Sequence, residues 1–312
     1  MYRDQQALIT GGAGFIGSQL ARELDNRGVT VRILDDLSSG RKENLRGVKH
    51  DFILGSVLDT GCLYDAMKGI DVVFHMAGFV SVPDSFAQES KCMAINHLGT
   101  LNTLRAAGAS SVRRVLFSGT AAVYGDSPLI PSSEKDRTAP SSPYALSKLA
   151  AEQLVVEWGQ NTELDTVSLR LFNVYGRRVE TPPVGVVNTF TSSIKTKGYG
   201  TILGDGLNTR DFVFIDDVVQ AMIQAGYRKE RLRGEILNIG SGISTSVLNL
   251  HNIIASKVMP KSINTPRPML AAKRQGDVAK SLASIEKAKS ELRWNPRFSL
   301  ERGISKMLDE RQ

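Results

Sequence analysis

The stretch TGGAGFIGS (10–18) decides the fold of this chain. It follows a short apolar segment, and its glycines have the spacing G-x-G-x-x-G from Gly12 to Gly17, with Gly11 in addition. Glycines at these points permit a tight turn and let the backbone approach a pyrophosphate closely. The residues FIGSQLARELDNRG (15–28) have the apolar period of a helix, and a helix N-terminus attracts phosphate. The stretch therefore predicts a strand, a loop and a helix that together bind a dinucleotide.

A second apolar segment supplies the acid that such a site needs. The segment VTVRILD (29–35) ends in Asp35, about 20 residues after the glycine loop. A carboxylate in this position accepts hydrogen bonds from the adenosine ribose and repels a 2′-phosphate, which favours NAD over NADP. The nearby cations Arg41 and Lys42 act in the opposite direction. A glycine-rich turn that binds no ligand is the alternative interpretation.

Short apolar segments alternate with helical ones through the first half of the chain. The segments DVVFHMAG (71–78) and VRRVLFSG (112–119) contain continuous apolar runs, which are typical of strands covered on both faces. This βαβ alternation predicts an α/β protein of Rossmann type with a doubly wound parallel sheet.

The alternation weakens in the second half, where prolines and glycines become frequent. We therefore expect a Rossmann domain over residues 1–175 that binds the dinucleotide, and a smaller substrate lobe over 176–312. The apolar segments FVFI (212–215) and EILNIG (235–240) predict that residues 211–240 return to the main sheet, so that the two units interleave.

The composition is that of a globular protein, with 23% charged and 41% hydrophobic residues among 312. The net charge of +7 arises from Lys257 onward, where 13 Lys and Arg stand against 6 Asp and Glu. Exposed basic helices explain this excess, and attraction of a polyanionic ligand such as a diphosphate is the functional alternative. Aromatic residues are sparse there and no recognition motif is present, so nucleic acid is not expected as a partner.

The chain has neither the apolar run of a membrane helix nor the pattern of a signal peptide. No run approaches the roughly 18 apolar residues that a membrane helix needs, and MYRDQQALIT (1–10) lacks the apolar core of a leader. The two cysteines, Cys62 and Cys92, do not have metal-ligand spacing. We therefore expect no metal, no membrane insertion, and a cytoplasmic location with reduced thiols.

A helix in the middle of the chain carries a candidate acid/base pair. The segment SSPYALSKLAAEQLVVEWG (141–159) has a serine cap and Pro143 in its first turn. Tyr144 and Lys148 are four residues apart and lie on one helical face. Lowering the pKa of a phenol from about 10 to about 7 requires roughly 4 kcal/mol, which one cation at about 4 Å supplies at an effective dielectric near 20. A purely structural pair is the alternative.

With these motifs the chain resembles the extended short-chain dehydrogenase/reductases, and among them the nucleotide-sugar epimerases and dehydratases. The resemblance covers nearly the whole chain and implies a Rossmann-type fold, NAD as cofactor and a homodimer. The motifs that carry it are TGGAGFIGS (10–18), LDDLSSG (34–40), HMAG (75–78), FSGTAAVYG (117–125), YALSK (144–148), RLFNVYGRR (170–178), GDGLNTRDFVFIDDVV (204–219), NIGSG (238–242) and RQGDV (274–278).

The resemblance implies that Thr120, Tyr144 and Lys148 are catalytic. Tyr144 then removes the proton of the sugar O4 with the help of Thr120, and the C4 hydride passes to NAD. The resulting 4-keto sugar rotates in the site before it is reduced on its other face. Related sugar dehydratases carry Asp-Glu before VYG, and related decarboxylases usually carry Glu. This chain has Ala121 and Ala122 there, which favours epimerisation at C4. The alternatives are a dehydratase, a decarboxylase, a 4-ketoreductase and a non-catalytic NAD sensor.

The resemblance also implies the residues that bind the cofactor. Ser56 stands where many relatives carry an adenine-binding aspartate, and His75 is expected to be a packed imidazole. The expected cofactor residues, besides Tyr144 and Lys148, are Gly11, Gly14, Phe15, Ile16, Gly17, Asp35, Asp36, Leu37, Ser38, Gly40, Ser56, Val57, Met76, Ala77, Gly78, Asn96 and Ser118.

A further set is implied for the nucleotide sugar. Ser281 is small where epimerases restricted to glucose and galactose resemble one another in carrying tyrosine. Its size predicts room for a 2-acetamido group, and hence activity on UDP-N-acetylglucosamine and UDP-N-acetylgalactosamine besides UDP-glucose and UDP-galactose. The expected substrate residues are Ser81, Thr120, Asn173, Val187, Arg210, Arg274, Asp277 and Ser281.

Overall fold

The computed structural model of the chain describes residues 5–177, 185–259, 267–272 and 278–309. Its centre is a seven-stranded sheet in which every neighbouring pair is parallel, with the order β3-β2-β1-β4-β5-β6-β10. This is the predicted Rossmann-type α/β fold. The strands of this sheet are β1 (Gln6–Thr10), β2 (Thr30–Asp35), β3 (Asp51–Leu54), β4 (Val72–His75), β5 (Arg114–Thr120), β6 (Asp165–Leu171) and β10 (Glu235–Ile239).

Helices cover both faces of the sheet, because successive strand residues point to opposite sides. On β1, Ala7 and Ile9 belong to the apolar cluster under α1 and α8, whereas Leu8 belongs to the cluster under α2, α5 and α6. The helices are α1 (Phe15–Asn26), α2 (Thr60–Ala66), α3 (Val82–Ala87), α4 (Glu89–Met93), α5 (Gly99–Gly108), α6 (Pro143–Asn161), α7 (Val186–Lys197), α8 (Ile215–Tyr227), α9 (Val247–Val258), α10 (Glu286–Leu292) and α11 (Leu300–Asp309), with a π-helical turn at Ala94–Leu98 and 3₁₀ turns at Lys42–Leu45 and Ala121–Tyr124.

Two small sheets lie outside the main one. β9 pairs in parallel with β7 and antiparallel with β11, and β8 pairs in parallel with β12. The prediction that FVFI returns to the main sheet is therefore wrong for this strand, although β10 does join that sheet. A continuous apolar run reports burial and not the partner strand, and β9 is buried by α11 and by Tyr175 and Phe298. The strands are β7 (Asn173–Tyr175), β8 (Thr201–Leu203), β9 (Thr209–Phe214), β11 (Ser244–Ser246) and β12 (Met269–Ala271).

A buried ion pair closes the amino end of the main sheet. Arg114 and Asp165 begin β5 and β6, stand opposite each other in the register, and are both nearly inaccessible. Arg114 also donates hydrogen bonds to the carbonyl oxygens of Ala225, Arg228 and Glu230, at the end of α8 and just beyond it. This cluster lies at the opposite end of β5 from Thr120.

The strand order places a crevice at the carboxyl end of the sheet. β1 lies between β2 and β4, and the connections that leave β1 and β4 go to opposite faces, which leaves an opening between them. In open α/β sheets ligands bind at such a switch point.

Candidate active site

A cleft of about 740 Å³ opens at this switch point. Its walls come from the loops after β1, β2, β4 and β5, from α6, and from the start of β7. Most of the site residues expected from the sequence meet there. Those that line the cleft are Gly11, Gly14, Phe15, Ile16, Gly17, Asp35, Asp36, Ser38, Ser56, Val57, Met76, Ala77, Gly78, Ser81, Ser118, Thr120, Tyr144, Lys148 and Asn173.

The glycine loop has no room for side chains. Gly11 has φ +69°, and a Cβ on it would lie 2.6 Å from the backbone nitrogen of Ala77. A Cβ on Gly17 would lie 2.4 Å from the carbonyl oxygen of Gly11. Helix α1 begins directly after Gly14, which offers no side chain to cap it. The start of α1 therefore faces the cleft with its positive dipole end and with bare backbone, an arrangement that suits a diphosphate.

The acids after β2 shape the neighbouring wall. Asp35 accepts hydrogen bonds from the backbone nitrogens of Ala13 (2.9 Å) and Leu37 (2.8 Å). Burial raises the pKa of Asp35, and these two hydrogen bonds act in the opposite direction. Asp36 is exposed and accepts from the nitrogen and the hydroxyl of Ser38. Both carboxylates line the cleft, where adenosine ribose hydroxyls would find acceptors.

Two expected cofactor residues of this loop do not line the cleft. Leu37 adopts a positive φ of 57° within the turn after β2. Gly40 packs directly on Asp35, since a Cβ there would lie 2.9 Å from both carboxylate oxygens. Both residues therefore shape the loop that presents Asp35.

Thr120, Tyr144 and Lys148 meet in the middle of the cleft. Ser142 caps α6 by accepting a hydrogen bond from the nitrogen of Ala145 (3.1 Å), and the helix then carries Tyr144 and Lys148 on one face. Thr120 ends β5, and its hydroxyl lies near enough to the phenol of Tyr144 to act on the pKa of that phenol. The same hydroxyl oxygen accepts from the nitrogen of Ala122 (3.2 Å), so its own proton is free to point at the phenol oxygen.

The proton affinities of this group differ from the sequence-based prediction. Burial raises the pKa of Tyr144, and the hydrogen bond with Thr120 lowers it by less. The phenol pKa thus moves in the opposite direction to the predicted one. Burial also lowers the pKa of Lys148 to about 8, while Glu152 opposes this. The Lys148 ammonium lies 4.2 Å from the centre of the Phe117 ring, a cation–π contact that the i, i+4 spacing did not reveal.

Asn96 lies behind the cleft wall and does not line it. Its side chain accepts from the nitrogen of Phe79 (2.8 Å) and donates to the carbonyl oxygen of Phe79 (3.1 Å) and to the Ser147 hydroxyl (2.8 Å). A Cβ on Gly78 would lie 2.9 Å from the Asn96 amide oxygen. Asn96, expected near the cofactor, thus ties the turn after β4 to α6 and only indirectly shapes the cleft.

His75 is a packed imidazole, 1% exposed. Its two nitrogens lie 2.7 Å from the Thr10 hydroxyl and 3.0 Å from the Thr100 hydroxyl. Within the described part of the chain no cluster of three or more His, Cys, Asp or Glu side chains suits a metal ion.

The expected substrate residues are less concentrated. Asn173 is exposed at the rim, and Val187 is buried in the core under α7. Arg210 donates to the carbonyl oxygen of Thr209 (2.8 Å), and the nitrogen of Ser281 donates to the same oxygen (3.1 Å), so Ser281 lies beside the start of β9. Val187, Arg210 and Ser281 do not line the cleft. Arg274 and Asp277, which are also expected to bind the substrate, lie outside the described residues.

Several cleft residues were not anticipated from the sequence. Asp84, Gln88 and Lys91 extend the cleft beyond Ser81 on the side of α3 and α4. In the sequence they are ordinary polar residues, and only the path of the chain after β4 brings them to the site.

None of the helices formed by the described residues is long and apolar enough to cross a membrane.

The chain is similar to known proteins over nearly its whole length. A family model described as the NAD dependent epimerase/dehydratase family matches residues 7–240. The chain is similar to the UDP-glucose 4-epimerase of Mycolicibacterium smegmatis, with 36% identity over 313 residues and 97% of each chain covered. It is also similar to the UDP-N-acetyl-alpha-D-glucosaminuronate decarboxylase of Bacillus cytotoxicus, with 31% identity and 97% of each chain covered.

Solved structures agree in fold over nearly the whole length. The UDP-glucose 4-epimerase of Thermotoga maritima, solved with UDP-glucose, superposes with a TM-score of 0.91 at 32% identity and 98% coverage of both chains. The UDP-N-acetylglucosamine 4-epimerase of Methanobrevibacter ruminantium M1, in complex with UDP-N-acetylmuramic acid, gives a TM-score of 0.89 at 29% identity and 99% coverage of both.

Proposed function

Because this chain belongs to the NAD-dependent epimerase/dehydratase family, we propose that it is a nucleotide-sugar 4-epimerase that inverts C4 of a UDP-hexose. The observation that carries the proposal is the joining of Thr120, Tyr144 and Lys148 in one cleft, followed directly by Ala121 and Ala122. This set can move a proton at a sugar hydroxyl, but the turn after Thr120 offers no acid for an elimination of water across C5–C6.

NAD is the cofactor of this family, and the cleft fits it. The cradle formed by Gly11 and Gly17 holds backbone close to the position of a diphosphate, and Asp35 and Asp36 offer acceptors to the ribose. The chemistry that bound NAD supplies is reversible acceptance of the hydrogen from C4 of the sugar. Ser118 and Gly78 line the deeper part of the cleft beside Lys148, where the nicotinamide end would lie.

The chain's own residues handle the proton of the sugar O4. We assign its removal to the Tyr144 oxygen, which Thr120 prepares by pointing its hydroxyl proton at the phenol. The charge of Lys148 favours the phenolate, since an ammonium in a water-poor cleft acts strongly on a neighbouring anion. Burial raises the pKa of Tyr144, so the Thr120 hydroxyl and the Lys148 charge act against burial in preparing the phenol as a base.

The turn after Thr120 distinguishes the proposed 4-epimerase from similar dehydratases and decarboxylases. Elimination of water and decarboxylation in similar enzymes rely on carboxylates at this turn, according to the resemblance described above. Ala121 and Ala122 transfer no protons, so the 4-keto sugar has no partner for a second reaction and is reduced again. The alternative is a decarboxylase or dehydratase, which the 31% identity to a decarboxylase keeps open.

The proposed substrates are UDP-glucose and UDP-galactose, together with their 2-acetamido counterparts. A small Ser281 beside the start of β9 supports the wider set, as does the similarity to a UDP-N-acetylglucosamine 4-epimerase. We propose that the lobe after residue 176 anchors the nucleotide through Val187, Arg210, Arg274 and Asp277. Asn173 and Ser81, which line the cleft, complete the proposed substrate site.

The direct test is product analysis by NMR after incubation with each nucleotide sugar and no added cofactor. The proposal expects interconversion of the C4 epimers, because NAD is regenerated in each turnover and stays bound. A 4-keto-6-deoxy product or release of carbon dioxide would instead identify the alternative. A requirement for stoichiometric NADH would identify a 4-ketoreductase.

We further propose that the protein is a homodimer joined through α5 and α6. Leu98 and Leu146, just before α5 and in the first turn of α6, are 44% and 49% exposed, which is unusual for leucines on helices that pack side by side. Light scattering of the wild type and of Leu146→Glu tests this, because a charge at the interface should yield the monomer. Unchanged mass in the variant would reject this interface.

A further inference from the structure

A buried polar network lies directly behind the catalytic group. Glu152 is fully buried on α6 and forms an ion pair with Arg170 of β6, with 2.6 Å between Oε1 and Nη2. The Ser168 hydroxyl donates to the other carboxylate oxygen (2.9 Å). Arg170 in turn donates to the phenol oxygen of Tyr124 (2.9 Å), and Tyr124 donates to the amide oxygen of Asn238 (2.8 Å). Every member has a partner, so the network is rigid.

The network joins the two elements that carry the catalytic side chains. Glu152 follows Lys148 by four residues and therefore shares its helical face with it and with Tyr144. Tyr124 closes the 3₁₀ turn that begins directly after Thr120. Arg170 stands opposite Gly119 in the register of β5 and β6, between these elements. One arginine thus bridges the helix and the turn.

The negative charge of Glu152 also acts on the Lys148 ammonium and raises its pKa. The other titratable groups that act on this ammonium are Cys92 from α4 and the neutral His75 from β4, with Tyr144 one turn away on the same helix. Glu152 is the strongest influence that favours the charged form, against the burial that disfavours it. Loss of this carboxylate would leave Lys148 desolvated without its main counter-charge.

We propose that Glu152 is a positioning residue of this site: its carboxylate joins the two catalytic elements through Arg170 and places a counter-charge one helical turn from Lys148. This inference rests on the proposed function in that it assumes a catalytic role for Lys148. It adds a residue that touches neither sugar nor cofactor and that acts only through its neighbours.

The chain contains a matched control for the variant Glu152→Gln. Asp165 is equally buried and equally paired with an arginine, but its pair closes the amino end of the same strands. Asp165→Asn therefore removes one buried carboxylate from an ion pair, as Glu152→Gln does, at the end remote from the cleft. Both variants are expected to lose stability, because each leaves an arginine without its counter-charge.

The first measurement is titration of Lys148 by NMR of lysine labelled with ¹³C at Cε, with the signal assigned from Lys148→Met. Wild type should titrate at about 8. Glu152→Gln should lower the proton affinity of Lys148 roughly tenfold, and Asp165→Asn should leave it unchanged. An unchanged Lys148 titration in Glu152→Gln, or an equal change in both variants, overturns the proposal. This measurement needs no substrate, so its outcome is independent of the identity of the sugar.

The second measurement is the pH dependence of kcat on a sugar that wild type turns over. In Glu152→Gln the limb that reports loss of the Lys148 proton should move to lower pH. Tyr124→Phe should instead lower kcat by roughly tenfold to a hundredfold at every pH, with KM and the Lys148 titration retained. If wild type turns over no nucleotide sugar, the proposed function fails while the titration still decides the role of Glu152. Should Glu152→Gln not fold, Glu152→Gln/Arg170→Met leaves no unpaired buried charge. Because it also removes a cation, it should lower the proton affinity of Lys148 by less than roughly tenfold, but by more than Asp165→Asn does.

Discussion

Acid should destabilise this protein through the buried imidazole of His75. His75 is 1% exposed and is held between the hydroxyls of Thr10 and Thr100. Burial, and to a lesser extent the nearby Lys148 ammonium, lowers the pKa of His75 from 6.5 to about 3. The folded protein therefore keeps this ring neutral where an unfolded chain would protonate it.

The sign and size of the effect follow from linkage. The pKa of His75 in the folded state lies below its value in the unfolded state, so its contribution to stability is complete above pH 6.5 and is lost as the pH falls toward 3. Between pH 7 and pH 5 the expected loss is about 2 kcal/mol of unfolding free energy, and over the whole window it is about 5 kcal/mol. The buried carboxyls Asp35, Asp211 and Asp217 have raised pKa values and act in the opposite direction, so the effect must be measured as a difference.

The assay is urea unfolding of wild type and His75→Gln at both pH values, followed by tryptophan fluorescence and circular dichroism. A glutamine amide can bond both threonine hydroxyls and does not titrate. Its stability deficit relative to wild type should shrink by about 2 kcal/mol on going from pH 7 to pH 5. Thr100→Val, which removes the hydroxyl bonded to His75 and to the Asn96 carbonyl oxygen and keeps the ring, should show the same deficit at both pH values. Equal deficits of His75→Gln at the two pH values would refute the reasoning.

Three further outcomes test the site. Tyr144→Phe should lower turnover at least roughly a hundredfold, as measured by NMR of the sugar products, and unaltered turnover would contradict its role. Gly17→Ala should abolish NAD binding, since its Cβ would lie 2.4 Å from the carbonyl oxygen of Gly11. Gly61→Ala, whose nearest contact is 3.5 Å away, is the control, and calorimetric titration of both with NAD decides the matter. Ser281→Tyr should lose turnover of acetamido sugars and retain UDP-galactose, and equal loss of both would reject the size argument.

The sequence predicts those parts of the fold whose defining residues lie close together along the chain. The glycine loop and Asp35 identify β1, α1 and β2 because each contact spans about 20 residues. The prediction of the family from the ordered motifs is confirmed by the family model and the relatives, and so is NAD as the cofactor. The pairing of β9 was not predictable, because an apolar run is compatible with burial against helices as well as within a sheet.

The finer parts of the site depend on distant contacts. Asn96 bonds partners 17 and 51 residues away, and no local pattern distinguishes such a residue from one that contacts the cofactor. The spacing of Tyr144 and Lys148 places them on one face but carries no information about burial. Burial decides the direction of both pKa shifts, so an argument from charge separation alone gave the wrong direction for the phenol.

In the proposed function, a short turn distinguishes 4-epimerisation from the other activities of this family. Once C4 of the sugar is oxidised, an epimerase, a dehydratase and a decarboxylase hold similar 4-keto species, and they differ in which group then exchanges a proton. Here the backbone of that turn is fixed at both ends, by Thr120 accepting from Ala122 and by Tyr124 bonded to Arg170. The position for an acid is therefore rigid while its side chain is only a methyl group.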